Sequence, residues 1–202
     1  MTAHPSLPGR LVADVADEPA SWPVASSERV YSSGYLDVDV DVIVGPTGDE
    51  HSRAVVRPNG AVGVLALDDA DRLLLVVQYR HPVGERLVEL PAGTLDVVGE
   101  EPQEAAAREL AEEADVVATD WSPLITLLSS AGYTSEVCRV YRASGLRPVP
   151  ADERTERRAE EAEMEQWWAP FDTVVDAVLD GRVRDATMCA AVLAEHARRR
   201  RG

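Results

Sequence analysis

Two apolar runs separated by a polar turn constrain the fold more than any other feature of this chain. The segment AVGVLALDDADRLLLVVQYRH, residues 61–81, predicts two strands joined at DDAD, and the second run is apolar at nearly every position. A strand that is apolar on both faces must be covered on both faces, so we expect the second run at the centre of a sheet. Because helical patterns lie among the later strand patterns, the expected class is α/β or α+β with a mixed β-sheet.

The N-terminal part predicts a strand unit of a different kind. Residues 1 to about 25 have no sustained period, which is typical of a loose tail. In RVYSSGYLDVDVDVIV, residues 29–44, apolar residues from Leu36 to Val42 alternate with aspartates, and this predicts a half-solvated strand whose apolar face is buried. PTGDE then predicts a turn, and HSRAVVR predicts a returning strand. We therefore expect a tail and an antiparallel unit in residues 1–57 and the main domain in residues 58–202.

The charge of the chain excludes several kinds of partner. The 202 residues carry a formal net charge of -16, and all 20 basic side chains are Arg. Phosphate backbones and anionic membranes require a basic surface, so neither a nucleic acid nor a membrane is an expected partner. The start MTAHPSLPGR lacks the features of a signal peptide, and we expect a cytoplasmic protein. A small anionic substrate would have to be bound through a metal ion or a group of arginines.

A short helix with an unusual charge distribution follows the central strands. The pattern predicts a helix from Pro102 to about Ala114, with Pro in its first turn. Glu109, Glu112 and Glu113 lie toward its C-terminal end, where the helix dipole disfavours anions. Glu109 and Glu113 are four residues apart and repel each other, while Arg108 is four residues before Glu112 and can pair with it.

A solvated acidic face is the commonest explanation for adjacent glutamates in a helix. Three features favour a metal site instead: the carboxylates lie at the unfavourable end of the dipole, the Gly-containing segment PAGTLDVVGE precedes them, and the helix has no Lys or distal Arg to neutralise them. Carboxylates near backbone carbonyls are ligands for Mg²⁺ or Mn²⁺, which proteins often share with substrate phosphates. A cation would turn the repulsion into attraction.

The spacing from Gly93 to Val116, G-x6-E-x7-R-E-L-x-E-E-x-D-V, resembles the Nudix box, whose usual form is G-x5-E-x7-R-E-U-x-E-E-x-G-U with U aliphatic. The R-E-U-x-E-E core is complete, and Glu100 stands at the usual distance before Arg108. Two positions depart from the box: one extra residue precedes Glu100, and Asp115 replaces a Gly. Asp tolerates the left-handed conformation that ends many helices, so we expect Asp115 to act as a cap.

Other segments are similar to the actinobacterial-type ADP-ribose pyrophosphatases of that family. They are VVQYRHPVGERLVELPAGTLDVVGE and SSAGYTSE, and the second resembles an SPGxSDE loop in which Ala131 and Ser135 replace Pro and Asp. The resemblance covers residues from about 28 to 197. It implies the Nudix fold, a mixed β-sheet sandwiched between helices, and a homodimer that exchanges N-terminal strands.

The resemblance also implies a metal site and a reaction. The metal ligands would be Glu109, Glu112, Glu113 and the backbone carbonyl of Ala92, with Mg²⁺ as the cofactor and Mn²⁺ as an alternative. The reaction would be hydrolysis of the pyrophosphate bond of ADP-ribose, or of a related nucleoside diphosphate sugar, to AMP and ribose 5-phosphate. Arg108 and Glu112 would take part in catalysis.

A general base would come from the acidic segment RAEEAEME, where Glu161 is the first candidate and Glu160 and Glu163 are alternatives. On residue type alone, such a segment is more often solvated surface, and only the resemblance favours Glu161. Arg80, at the end of VVQYR, would bind the pyrophosphate, since a guanidinium suits that anion. A surface Arg at the end of a strand is an equally common explanation.

Further residues are expected at the substrate, and two other functions compete. Arg57 and Gly132 are implied as substrate-binding residues. The same chemistry on a different nucleoside diphosphate sugar or on a dinucleotide stays open, because the box alone does not select the nucleoside. A sensor that binds ADP-ribose without hydrolysing it is a function of another class. The three intact glutamates favour an enzyme, since a pure binding protein has no reason to retain their repulsion.

Overall fold

A computed structural model describes residues 2–3, 6–155, 157 and 163–201 of the chain. Most of this part forms strands: β1 (Thr2–Ala3), β2 (Arg10–Leu11), β3 (Val24–Ser32), β4 (Leu36–Val44), β5 (Glu50–Pro58), β6 (Ala61–Ala66), β7 (Arg72–Arg80), β8 (Glu85–Glu89), β9 (Ala92–Thr94), β10 (Val116–Leu128), β11 (Val137–Pro148) and β12 (Glu165–Pro170). The helices are α1 (Pro102–Ala114), α2 (Phe171–Leu179) and α3 (Ala186–Arg199). In this described part, no helix has the length and apolar character needed to cross a membrane.

Two sheets form the main body of the protein. The first has the strand order β10-β11-β6-β9, and its only parallel pair among the described strands is β11 with β6. The second has the order β12-β7-β8 and is antiparallel. The central position of β7 confirms the prediction from its apolar sequence. The class is therefore a mixed α/β fold, as expected.

Helices cover both faces of the central strands. Val62, Val64 and Leu74 pack with α1, while Leu65 and Leu73 pack with α2 and α3. All five of these side chains are fully buried. Successive residues of β6 thus point to opposite helical layers, which is why both β6 and β7 are apolar at nearly every position.

Helix α1 has the predicted bounds and well-defined ends. Glu101 and Glu104 form a capping box at its start, and Pro102 occupies the first turn. Asp115 ends the helix in the left-handed conformation, with φ 51° and ψ 33°. Its N–H donates to the carbonyls of Leu110 and Ala111. The expected role of Asp115 as a cap is confirmed.

The N-terminal unit differs from the expectation in its strand count and in its buried face. The residues predicted as one strand form β3 and β4, since the Ser33 N–H donates to the Leu36 carbonyl and closes a turn. β3, β4 and β5 form an antiparallel sheet, and β1 pairs with β2 within the segment expected to be a loose tail.

The prediction that the apolar face of β4 is buried is wrong within one chain. Asp39 and Asp41 are the buried residues, at 6% and 7% exposure, whereas Val38, Val40 and Val42 are only partly buried. Asp39 accepts hydrogen bonds from the Nε atoms of both Arg29 and Arg57, at 2.8 and 2.7 Å. These guanidinium groups cover the aspartates, so pairing of opposite charges rather than apolar packing buries that face.

Candidate functional site

The site begins where β9 meets α1. The Glu109 carboxylate lies directly against the backbone of Gly93, and a Cβ atom at that position would overlap it. Any other residue at position 93 would therefore displace the carboxylate. The Gly at the start of the motif has a defined purpose here: its missing side chain makes room for a glutamate that comes 16 positions later.

Glu113 is held by the strand next to that glycine. Its side chain is buried, at 5% exposure, and one carboxylate oxygen accepts a hydrogen bond of 2.8 Å from the N–H of Ala92. The N–H of Ala92 thus binds one predicted metal ligand, and the backbone of Gly93 contacts another. The PAG segment thus places backbone groups next to the carboxylates of α1, as its position before the helix predicts.

Arg108 connects most of the remaining acidic residues of the motif. Its guanidinium donates to both oxygens of Glu100, at 3.1 and 3.0 Å, to Glu109 at 2.8 Å and to Glu112 at 3.2 Å. The predicted pairing with Glu112 is therefore present. The hydrogen bonds to Glu100 raise the pKa of the Arg108 guanidinium well above its ordinary value. Arg108 stays protonated and offsets the repulsion that the glutamates exert on one another.

The carboxylates of α1 differ in their surroundings. Burial raises the pKa of the Glu109 carboxyl, while Arg108 opposes that rise. Among the residues that the structure describes, no three His, Cys, Asp or Glu side chains converge as they would around a metal ion. The donor types nevertheless fit a hard divalent cation, since Glu109, Glu112 and Glu113 supply only oxygen atoms beside a backbone segment. Glu109 and Glu113 meanwhile pair with Arg108 and with the N–H of Ala92.

A cleft of about 290 Å³ opens beside β9, and Ala92 and Gly93 form part of its wall. Arg80 also lines it, and its guanidinium donates to both oxygens of Glu89, at 2.9 and 2.6 Å. Glu89 is buried, and the side-chain amide of Gln78 donates to it as well. Glu89 raises the pKa of Arg80, and Glu113 and Asp185 add to this effect. Arg80 is thus a fixed positive charge near the carboxylates of α1.

The start of α3 also lines the cleft. Asp185 caps that helix by accepting a hydrogen bond of 2.7 Å from the Met188 N–H. Burial raises the pKa of the Asp185 carboxyl. Thr187 and the buried Cys138 complete this side. Among the described residues that line the cleft, Arg80 is therefore the one basic group, and the other side chains are acidic or neutral.

The acidic segment proposed to hold the general base is only partly described. Glu160 and Glu161 lie outside the described residues, whereas Glu163 is exposed and its carbonyl accepts a hydrogen bond from Arg86. On the other side of the gap, Arg157 donates to the Glu112 carbonyl at 3.2 Å, and after it Gln166 donates to the Glu113 carbonyl at 3.2 Å. Both flanks of the acidic segment thus bind the last turn of α1.

Arg57 and Gly132 lie away from the cleft within one chain. Arg57 pairs with Asp39 and Asp41 on the N-terminal sheet, each at 2.7 Å. Gly132 lines a separate cavity of about 230 Å³ between that sheet and the turn that joins β10 to β11. The turn is held to β5 because the Val56 N–H donates to the Tyr133 carbonyl at 2.8 Å.

Several residues of the site were not identified from the sequence. Glu89 stands three positions before Ala92, but a single Glu at the end of a strand carries no signal of a buried ion pair. Asp185 has a local signal, since it precedes a helical pattern as caps do. Arg157 and Gln166 have none, because their partners on α1 are more than 40 positions away.

Comparison with known proteins agrees with this geometry. A model of the NUDIX domain matches residues 57–191. The chain is 42% identical over 172 residues, 85% of its length and 82% of the relative, to the ADP-ribose pyrophosphatase of Mycobacterium tuberculosis (strain ATCC 25618 / H37Rv). It is 36% identical over 120 residues, 59% of its length and 64% of the relative, to the methanol dehydrogenase activator of Bacillus methanolicus.

A solved structure supports the same fold. The crystal structure of a protein named ADP compounds hydrolase superposes with a TM-score of 0.73 over 90% of this chain and 95% of that one, at 21% sequence identity. At that identity the likeness concerns the fold alone. The domain match covers more than half of the chain and includes the strand, glycine and helix that form the carboxylate site. The chain therefore belongs to the Nudix family.

Proposed function

We propose that this protein hydrolyses the pyrophosphate bond of ADP-ribose to give AMP and ribose 5-phosphate, with Mg²⁺ or Mn²⁺ as its cofactor. The observation that carries the proposal is the 42% identity, over most of both chains, to the ADP-ribose pyrophosphatase of M. tuberculosis. Nudix proteins generally use a divalent metal. The carboxylates of α1 and the cleft next to them supply the matching chemistry.

Each residue of the site has a distinct role in the proposed reaction. Glu109, Glu112, Glu113 and the carbonyl of Ala92 would hold the cation, which when bound supplies Lewis-acid polarisation of the phosphoryl oxygens and activation of water. Arg108 keeps Glu109 and Glu112 in place and offsets their repulsion. Arg80 would bind the pyrophosphate through its Nη1 atom. Glu89 accepts hydrogen bonds from the Nε and Nη2 atoms of the same guanidinium and so fixes its orientation.

Glu161 is the proposed general base, which takes the proton of the attacking water. Support comes from the described flanks of its segment, since Arg157 and Gln166 bind the carbonyls of Glu112 and Glu113. The described residues on either side of the segment thus bind the turn of α1 that carries Glu112 and Glu113. Glu160 and Glu163 stay alternatives. Arg57 and Gly132 keep their proposed contacts with the substrate on the resemblance alone.

A product assay tests the proposed reaction. The protein is incubated with ADP-ribose and Mg²⁺, and AMP and ribose 5-phosphate are separated and quantified. ADP-glucose and a dinucleotide serve as alternative substrates, each in a separate parallel reaction. The absence of AMP with both Mg²⁺ and Mn²⁺ would refute the proposal that the protein is an enzyme. Similar rates of AMP release from all three substrates would refute only the preference for ADP-ribose.

A regulatory protein of the same fold is the alternative from another class. The B. methanolicus relative is named as an activator of another enzyme, so family membership alone does not establish an independent metabolic enzyme. A sensor that does not hydrolyse ADP-ribose would bind it and release no AMP. Equilibrium dialysis with ADP-ribose, combined with the product assay, separates the two functions.

We also propose that the protein is a homodimer that uses its N-terminal sheet. Val38, Val40 and Val42 of β4 lie on one face of this sheet with Tyr31, which is 56% exposed. A row of partly exposed apolar side chains of this kind is typical of an interaction surface. Exchange of N-terminal strands, the domain boundary at residues 57 and 58 and a cytoplasmic location stay predictions.

A further inference from the structure

The last turn of α1 concentrates negative charge. Glu112, Glu113 and the capping Asp115 all lie at the end of the helix at which the dipole is also negative. The last turn itself contains no basic residue. Arg108 pairs with Glu109 and Glu112, but it lies one turn earlier and two of its hydrogen bonds go to Glu100. A cation close to the helix end would stabilise it.

Arg157 supplies that cation from a distant part of the chain. Its Nη2 atom donates to the Asp115 carboxylate at 2.7 Å, and its Nε atom donates to the Glu112 carbonyl at 3.2 Å. Both partners of the ion pair are largely shielded, with side-chain exposures of 21% and 20%. One planar guanidinium therefore binds both the backbone and the terminal side chain of the same helical turn.

Asp115 is fixed independently of this ion pair. Its N–H closes the helix in the left-handed conformation, and its carbonyl accepts a hydrogen bond of 2.8 Å from the Val149 N–H at the end of β11. The carboxylate of Asp115 is thus presented from a rigid position. A Gly there, as in the usual motif, would make the same turn but would offer Arg157 no charged partner.

We propose that Arg157 is a positioning residue which, together with Asp115, holds the last turn of α1 so that Glu112 and Glu113 are fixed for cation binding. The proposal rests on the metal role assigned to these glutamates under the proposed function. It also explains the departure at position 115. The aspartate adds a charge to an acidic helix end because that charge anchors the arginine that stabilises the same end.

The direction in which metal affinity changes when Arg157 is removed distinguishes a positioning role from a purely electrostatic one. A positive charge near the glutamates repels a metal cation, so its removal would tighten metal binding if only long-range charge mattered. If Arg157 fixes the helical turn instead, its removal weakens binding, because groups that orient metal ligands typically contribute about tenfold or more to affinity. Affinity for the metal alone, measured without substrate, therefore distinguishes the two.

The experiment measures Mn²⁺ binding to the full-length protein through the EPR signal of free Mn²⁺. Arg157→Gln removes the charge, and Arg157→Lys keeps the charge but loses the planar pair of donors. Arg182→Gln is the control, because Arg182 is exposed and pairs with Asp180 after α2 rather than with α1. We expect the dissociation constant to rise about tenfold in both Arg157 variants and to stay unchanged in the control.

A second pair of variants tests the partnership. Asp115→Asn keeps a residue that tolerates the left-handed conformation but removes the charge. We expect it to weaken Mn²⁺ binding, and the double variant with Arg157→Gln to be no weaker than Arg157→Gln alone, because both changes break one interaction. Should Arg157→Gln not fold by circular dichroism, Arg157→Lys and Asp115→Asn carry the same test.

Defined outcomes would overturn the inference. Unchanged or tighter Mn²⁺ binding in the Arg157 variants would refute positioning, and so would an equal loss in Arg182→Gln. Fully additive effects at positions 115 and 157 would refute the pair. If the wild type releases AMP but these variants bind Mn²⁺ normally, only this inference fails. If binding falls as expected but the wild type releases no AMP, only the proposed reaction fails.

Discussion

Gly93 shows how the absence of one side chain determines the position of another. The Glu109 carboxylate occupies the space that a Cβ atom would take. A substitution here therefore acts first on the Glu109 carboxylate, a ligand of the proposed cation site. Its effect should appear in function far more than in stability.

Gly93→Ala is expected to lower kcat/KM for ADP-ribose by about 100-fold, as misplacement of a catalytic group by about 1 Å can do. The flexible end of Glu109 can move aside, so the thermal midpoint should fall by only a few degrees. Steady-state kinetics and differential scanning fluorimetry measure the two effects. Gly34→Ala is the control, because the space around Gly34 is open. A fully active Gly93→Ala would contradict the role of this contact.

Two substitutions at Glu113 separate its chemical role from its structural one. Glu113→Gln keeps an oxygen that can accept from the Ala92 N–H, so the fold should be retained while turnover falls by at least about 100-fold. Glu113→Ala removes the acceptor and should additionally cost about 1–3 kcal/mol of unfolding free energy. Product assays and urea denaturation give the two quantities. Unfolding of Glu113→Gln would show that the charge itself is structural.

At the scale of secondary-structure elements, helix α1 was the most predictable part of the molecule. Its bounds, the pairing of Arg108 with Glu112 and the capping role of Asp115 follow from local spacing and from backbone preferences. Arg157 was not predictable, because its contact with α1 joins positions 42 apart and depends on the path of the chain between them. Local patterns therefore identified the carboxylates but not the residue that stabilises their helix end.

The N-terminal sheet illustrates the opposite case, in which a correct period gave the wrong buried face. Alternation in β4 shows that two faces differ, but it does not show which one is covered. The apolar face was the natural expectation, yet Arg29 and Arg57 cover the aspartates instead. Side chains contributed by the two neighbouring strands decide the outcome, and no local pattern within β4 reports them.

Asp39 gives this sheet a defined pH dependence. Hydrogen bonds from Arg29 and Arg57 lower the pKa of Asp39 to about 2, against about 4 in an unfolded chain. The charged form is therefore favoured by folding, so its contribution is complete above about pH 4 and is lost as the pH falls toward 2. Asp39→Asn should lower the thermal midpoint at pH 7 and should differ less from the wild type near pH 2.5.

Hydrogen exchange in β3 to β5, recorded as the temperature is raised, monitors unfolding of this sheet and measures the difference. Asp49→Asn is the matched control, since Asp49 lies in the exposed turn between β4 and β5. A constant difference between wild type and Asp39→Asn from pH 7 to pH 2.5 would contradict the assignment.

At the scale of the whole molecule, the apolar face of the N-terminal sheet predicts the oligomeric state. Val40 lies at the middle of β4 on that face and is only partly buried within one chain. We expect Val40→Asp to convert a dimer into a monomer, because a carboxylate would be buried without a partner at the interface. Light scattering coupled to size-exclusion chromatography measures the mass. Val83→Asp, at an exposed turn, should leave the dimer intact.

The parallel pair of β6 and β11 has a consequence for how the molecule assembles. Val62 faces Arg139, 77 positions later. During synthesis, β6, which packs against α1, therefore keeps one edge open until β11 has been made. Pairing over such a distance is slow, and an open apolar edge favours association between chains. Nascent chains that end before β11 should be the species most prone to aggregate, so the order of synthesis determines when α1 gains the complete sheet against which it packs.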